Sequence, residues 1–170
     1  HSIGLVVHSA ADTTFSRPLD EARAVNTRGT EHVLELAGTW PGVTRLVHVS
    51  TAFVAGRMRG PIPETALDGR AGWVNGYERS KHEAEALVRA ARLPWAIVRP
   101  SSIVCDGPAG GVTQFNAVHR ALRLYHNGLA SMMPGDEANR VDVVSADWVG
   151  ECVATAATTS GIEAGTYHAC

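Results

Sequence analysis

Three short apolar runs alternate with longer helical stretches, and that alternation leaves few folds open to the chain. Gly4-Leu5-Val6-Val7-His8, Arg45-Leu46-Val47-His48-Val49-Ser50 and Trp95-Ala96-Ile97-Val98-Arg99-Pro100 have strand length and are rich in β-branched residues. Near-continuous apolar runs of this kind suit parallel strands covered by helices on both faces. Between the first two lies residues 19–37. There Ala22, Val25, Val33, Leu34, Leu36 and Ala37 recur mostly three, four or seven apart, with Glu21, Arg23, Arg28, Glu31 and Glu35 largely on the other face. The stretch after Gly76 carries Ala84, Ala86, Leu87, Ala90 and Ala91 and no proline until Pro94, which predicts a second helix. Strand, helix, strand, helix, strand with short links predicts an α/β fold: a parallel sheet with flanking helices and right-handed crossovers.

Asn26 and Gly29 are poor residues for a helix interior, so a constraint is expected there: Gly29 for close packing on a strand, Asn26 for a hydrogen bond into a site. Arg57 to Trp73, with three glycines and two prolines, reads as a long surface loop. Pro100 is expected to close the third strand, because proline cannot continue a central ladder. Further on, Gly107 to Gly111 reads as a turn, Gln114 to Asn127 as a helix, and Met132-Met133-Pro134-Gly135 as the start of a loop. Val141 to Val144 reads as a strand. Ser145 then caps a helix running to about Thr158, with Asp147 at its positive end, and Gly165 to His168 as a last short strand.

Composition excludes several classes. The chain has 170 residues, 45% apolar and 19% charged, as a single ordinary globular domain would. A net charge of -2 draws it to neither nucleic acid nor an anionic membrane, and no apolar run approaches the ~20 residues of a spanning helix. Cys105, Cys152 and Cys170 are too widely spaced for a disulfide framework or a zinc site. They fit a reducing cytoplasm, with Cys105 and Cys152 expected to be buried, and no metal-ligand spacing occurs.

The chemistry concentrates in two segments. Tyr77 and Lys81 are four apart and share a helix face one turn from each other. An ammonium in that position favours the phenolate and is expected to pull the Tyr77 hydroxyl toward neutrality. Thr51, at the end of the second strand, offers a neutral hydroxyl to a carbonyl or alkoxide oxygen. Alone, a Y-x-x-x-K pair is more often a solvated surface pair. Small residues Ser9, Ala10 and Ala11 follow the first strand on the same sheet edge as Thr51, where open α/β sheets bind ligands. His48 reads as a packed strand histidine, His82 as a surface residue, and Trp73 as core packing in preference to a pocket wall. Arg57, Arg59 and Arg70 read as a solvated loop before they read as a phosphate contact. Met132 and Met133 with Leu129 form either an apolar wall for an acyl chain or plain loop packing.

Taken together, His8-Ser9-Ala10-Ala11, Asn26-x-x-Gly29-Thr30, Val49-Ser50-Thr51-Ala52, Tyr77-x-x-x-Lys81 and Arg99-Pro100 resemble the extended short-chain dehydrogenase/reductase superfamily. The resemblance is greatest to its thioester-reductase and fatty acyl-CoA reductase branch. Ala55 stands where sugar-nucleotide epimerases carry a tyrosine, and Val141-Asp142-Val143-Val144-Ser145-Ala146-Asp147-Trp148-Val149 is similar to a stretch of that branch, with Ser145 and Ala146 departing from it. The resemblance implies a Rossmann-type sheet and NAD(P)-dependent carbonyl chemistry, NADP(H) favoured and NAD(H) open. Thr51 would be the oxygen anchor, Tyr77 the acid/base, Lys81 the ribose contact and Asn26 a helix-bending member of the set. The same resemblance implies cofactor contacts at Ser9, Ala10, Ala11, Asn26, Val49, Tyr77, Lys81, Pro100, Ser101 and Ile103. The implied substrate is an acyl thioester on CoA or on the phosphopantetheine arm of a carrier protein, reduced to aldehyde or alcohol. A sugar-nucleotide epimerase/dehydratase, a sterol-type dehydrogenase and a non-catalytic dinucleotide-binding regulator stand as alternatives. The family's Gly-rich phosphate turn does not precede His8. The expectation is therefore a single partial domain over residues 1–170, a catalytic portion of about 5–105 and a substrate-side portion of about 106–170, with the first strand left as an unpaired edge.

Overall fold

The computed structural model describes residues 3–107, 110–112, 115–130, 136, 140–159 and 164–170. Its elements run β1 (Leu5–His8), α1 (Leu19–Gly38), β2 (Arg45–Val49), a 3-10 turn (Ala52–Ala55), α2 (Gly76–Ala90) and β3 (Trp95–Pro100). They continue with β4 (Ser102–Cys105), α3 (Ala117–His126), β5 (Val143–Ser145), α4 (Ala146–Thr158) and β6 (Gly165–Ala169). Strands β1, β2, β3 and β6 pair in that order, all parallel, and β4 and β5 form a separate parallel pair. The result is the expected Rossmann-type sheet with flanking helices.

Strand alternation divides the core into two layers. Leu46 and Ile97 point to one face, where Ala37 of α1 and Val88 of α2 cover them. Val47, Ala96, Val98 and Ala169 point to the other, where Val149 and Ala156 of α4 close over them. Each central strand is therefore apolar on both sides, which is why its sequence reads as an unbroken run. Helix α1 lies along α2, and the two meet so closely at their starts that a Cβ on Gly76 would sit 3.0 Å from the Arg17 carbonyl oxygen and the Leu19 Cα.

Several expectations are corrected. Val25 and Leu36 are exposed, because α1 turns only Ala22, Asn26, Thr30 and Ala37 fully inward. Gly29 has open space where its Cβ would be, so it serves no close packing. Pro100 lies inside the ladder opposite Ala169, at the strand's end where a missing N–H is tolerated. The stretch after it forms β4, which the sequence reading left unassigned. The later strand begins at Val143 in place of Val141, and α3 begins at Ala117, with Gln114 outside the described residues. Cys105 and Cys152 are only half-buried, and Cys170 is exposed. Ser145 occupies the N-cap of α4 without a capping hydrogen bond, while Asp147 in the first turn accepts one from the Gly107 N–H at 3.0 Å. Met132 and Met133 lie outside the described residues. Among those described, no helix is long and apolar enough to cross a membrane.

The segment between the 3-10 turn and α2 is pinched at its neck. Gly56 has φ +58°, its Cβ would run into the Gly72 carbonyl, and the Arg57 N–H donates to that same oxygen at 3.0 Å. Farther along, Arg99 of β3 reaches the carbonyls of Pro63 at 3.2 Å and Thr65 at 2.9 Å.

Candidate active site

Helix α2 starts where its capping residues place it. The Asn75 side chain accepts from the Glu78 N–H at 3.0 Å, and the Glu78 carboxylate accepts from the Val74 N–H at 2.7 Å. This double closure fixes the first turn, and with it Tyr77, at the carboxyl end of β2. Thr51 caps the 3-10 turn there, accepting from the Phe53 N–H at 3.2 Å. Tyr77 lies near enough for the Thr51 hydroxyl to favour its phenolate.

Burial nevertheless pushes the Tyr77 hydroxyl above the ordinary tyrosine range, with Glu78 adding to the rise and the Thr51 bond only partly offsetting it. The expected pull of Lys81 on Tyr77 is not expressed in this arrangement. Lys81 is buried, 2% exposed, and turns its ammonium to β2, donating to the Val49 carbonyl at 2.8 Å and to His48 Nε2 at 3.3 Å. Burial lowers Lys81 from 10.5 to about 8, against the opposing charge of Glu85.

Asn26 is buried at the α1–α2 seam. Its side chain accepts from the Asp12 N–H at 2.8 Å, donates to the Asp12 carbonyl at 3.0 Å and donates to Ser80 Oγ at 3.0 Å. It thereby ties the turn after β1 to the helix that carries Tyr77, while α1 runs through it without a break. Ser9 and Ala10 are exposed at the end of β1, with Ala11 half-buried. Pro100 and Ser101 are buried at the end of β3. Ile103 belongs to the other sheet and is exposed. The structure thus brings Thr51, Tyr77, Lys81, Val49 and, through Ser80, Asn26 together.

Three features escaped the sequence reading. Phe15 stacks on the Tyr77 ring at 5.4 Å between centroids, and Phe53 meets Phe15 edge-on at 5.6 Å. No periodic pattern marks Phe15, which sits in a loop. His8 and His48 lie side by side under Lys81, ring centroids 5.1 Å apart, in the register that pairs β1 with β2. His48 was expected to be packed in its strand, but its meeting with His8 and Lys81 is tertiary. His82, expected at the surface, is half-buried against Trp73 at 4.9 Å, and Arg79 lies over the same indole at 5.5 Å. Trp73 is therefore packed. A groove between Leu34, Gly38, Leu87 and Leu93 lies at the far ends of α1 and α2, away from Tyr77.

Comparison with known proteins bears on the fold and the family. The chain is 27% identical over 177 residues to the fatty acyl-CoA reductase wat of Drosophila melanogaster, covering 86% of this chain and 34% of that protein. The terminal R domain of the myxalamid PKS-NRPS biosynthetic pathway superposes with a TM-score of 0.86 at 30% identity, over 96% of this chain and 42% of that one. UDP-glucuronic acid 4-epimerase of Bacillus cereus, solved with UDP-glucuronic acid and NAD, shares the fold with a TM-score of 0.74 at 20% identity, over 98% of this chain and 52% of its own. The chain spans about a third of that curated relative's length and about half or less of these solved chains. The profile of the NAD_binding_4 family, described as male sterility protein, matches residues 1–153, and the chain belongs to that family, in the thioester-reductase and fatty acyl-CoA reductase branch of the short-chain dehydrogenase/reductases.

Proposed function

We propose that the chain provides the catalytic residues of an NAD(P)H-dependent reductase acting on an acyl thioester, held on CoA or on a carrier-protein pantetheine, to give aldehyde or alcohol. The observation that carries this reading is the placement of buried Thr51 and Tyr77 at the carboxyl end of β2, with buried Lys81 one helical turn on and bonded to the Val49 carbonyl. Family membership in the fatty acyl-CoA reductase branch supports the thioester over a sugar nucleotide.

The residues present fit a nicotinamide dinucleotide. Lys81 commits two of its three ammonium hydrogens to Val49 and His48, which leaves one for an outside acceptor such as a ribose hydroxyl. Ser9 and Ala10 present small, exposed side chains at the neighbouring strand end, so a flat ring can approach the backbone. When bound, the dinucleotide supplies the hydride, and NADPH is the favoured donor. Thr51 holds the substrate carbonyl oxygen by its hydroxyl. Tyr77 gives that oxygen a proton as negative charge develops on it. A raised Tyr77 value keeps this proton in place at neutral pH, which suits the reducing direction. The tetrahedral hemithioacetal then expels its thiol to leave the aldehyde.

The test uses the complete protein with a medium-chain acyl thioester and, separately, the matching aldehyde, reading NADPH absorbance. Consumption that falls at least a hundredfold in Tyr77→Phe, with NADPH affinity retained, is the expected result. Dinucleotide binding with neither substrate reduced overturns the reading.

A further inference from the structure

We propose that His48 is a positioning residue of this reductase site, holding the Lys81 ammonium through Nε2. The inference rests on the reading above and extends it to a residue beneath the catalytic set. Strand alternation places Leu46 and His48 on the face covered by α1 and α2. Leu46 there is packed among apolar groups, whereas fully buried His48 brings a ring with two polar nitrogens. The ring's Nδ1 is buried and has no hydrogen-bond partner. A leucine would fill this position without leaving a polar atom unpaired, so packing alone does not account for an imidazole.

The hydrogen bonds fix the protons. An ammonium only donates, so His48 Nε2, 3.3 Å from Lys81 Nζ, accepts and the ring proton sits on Nδ1. The Thr30 hydroxyl donates to the Asn26 carbonyl at 2.6 Å, so it accepts from His8 Nε2 at 3.0 Å, and His8 carries its proton on Nε2. The neighbouring imidazoles therefore hold opposite tautomers. Both are kept neutral, by burial first and by the Lys81 charge second, with His8 adding a third influence on His48.

Around Lys81 the titratable groups are His8 on β1, His48 on β2, and Tyr77 and Glu85 one turn away on α2; from α1, uncharged Thr30 bonds to His8. Burial works against the ammonium, and an acceptor at Nε2 works for it. The same contact, with Val49 O, occupies two of the three N–H bonds and so fixes the axis of the third. Without His48 the ammonium loses both charge stability and aim.

Gln and Asn separate this role from packing. A glutamine amide reaches the level of Nε2, whereas an asparagine amide reaches only that of Nδ1. In the complete protein, His48→Gln is expected to keep kcat within about twofold with its alkaline limb in place. His48→Asn and His48→Leu should lose about tenfold or more in kcat, with that limb moved down by ~1 pH unit. A His48→Leu enzyme with wild-type kcat and limb overturns the proposal, as does a Gln variant as impaired as Leu. If the Asn and Leu variants fail to fold, imidazole nitrogen shifts in the wild type decide: an Nδ1–H tautomer at His48 supports the contact, and an Nε2–H tautomer or an imidazolium overturns it. Absence of Tyr77-dependent NADPH consumption would remove the reductase reading, while the tautomer measurement would still test the Lys81 contact.

Discussion

Replacing Arg99 with methionine is expected to destabilise the protein in a strongly pH-dependent way. Arg99 is 0% exposed and Glu85 4%, and the guanidinium holds the carboxylate at both oxygens, 2.8 Å from Nε and 2.7 Å from Nη2. Removing one partner of a buried pair leaves an uncompensated charge and destabilises by about 3–5 kcal/mol. Arg89 remains 3.3 Å from Glu85 and softens the loss, so about 3 kcal/mol is expected near neutrality. The carbonyls of Pro63 and Thr65 belong to exposed residues and regain water, adding little. Burial pushes the Glu85 carboxyl up, and in the wild type Arg99 outweighs it, leaving the group below the ordinary glutamate range. That contribution is present above the unfolded value of 4.5 and fades as pH falls through the folded one. In Arg99→Met burial prevails, the folded carboxyl binds its proton more tightly than the unfolded one, and stability declines as pH rises past 4.5. Urea unfolding of both proteins at pH 5 and pH 7.5 should show a difference that grows toward pH 7.5. A further Glu85→Leu change should recover most of it. A difference that is equal at both pH values, or under about 1 kcal/mol at pH 7.5, refutes the account of Glu85 as a buried charge dependent on Arg99.

Two more outcomes follow. Lys81 is held at about 8 when folded against 10.5 when unfolded, so the unfolded chain binds the extra proton and stability rises with pH between those values, by up to about 3 kcal/mol relative to Lys81→Met in paired denaturant melts. Gly76→Ala gains up to ~1 kcal/mol of helix propensity but forces a Cβ to within 3.0 Å of Arg17 and Leu19 backbone atoms, and a net loss of about 1–2 kcal/mol is expected in thermal unfolding, with no loss or a gain refuting the close approach.

The central strands were legible because Leu46, Val47, Ala96, Ile97 and Val98 are buried from both sides, and such burial leaves an uninterrupted apolar run. The face of α1 was less so, because apolar spacing does not say which of Val25 and Ala22 meets a partner. Strand β4 was hidden behind Pro100, whose missing N–H signals a stop yet is harmless at the last rung of a ladder. At the site, Tyr77 and Lys81 could be paired from their separation of four. The direction of the Tyr77 shift could not, since it depends on burial by Phe15 and other neighbours and on where the Lys81 head turns. His48 lies 33 positions from Lys81, and only the packing of α2 on β2 joins them.

The pinched neck at Gly56 and Gly72 gives the segment it encloses a measure of independence. Thr51 and Tyr77 lie outside the closure, on elements that hold their places through β2 and α2. Within it Arg99 and Arg89 hold the Thr65 carbonyl and the His168 N–H donates to Glu64, so only the stretches between these ties can be lengthened at little entropic expense, about 0.6 kcal/mol for each doubling. The chain therefore carries, beside the fixed hydroxyls of Thr51 and Tyr77, exposed arginines at Arg59 and Arg70 that can be redrawn without moving either hydroxyl.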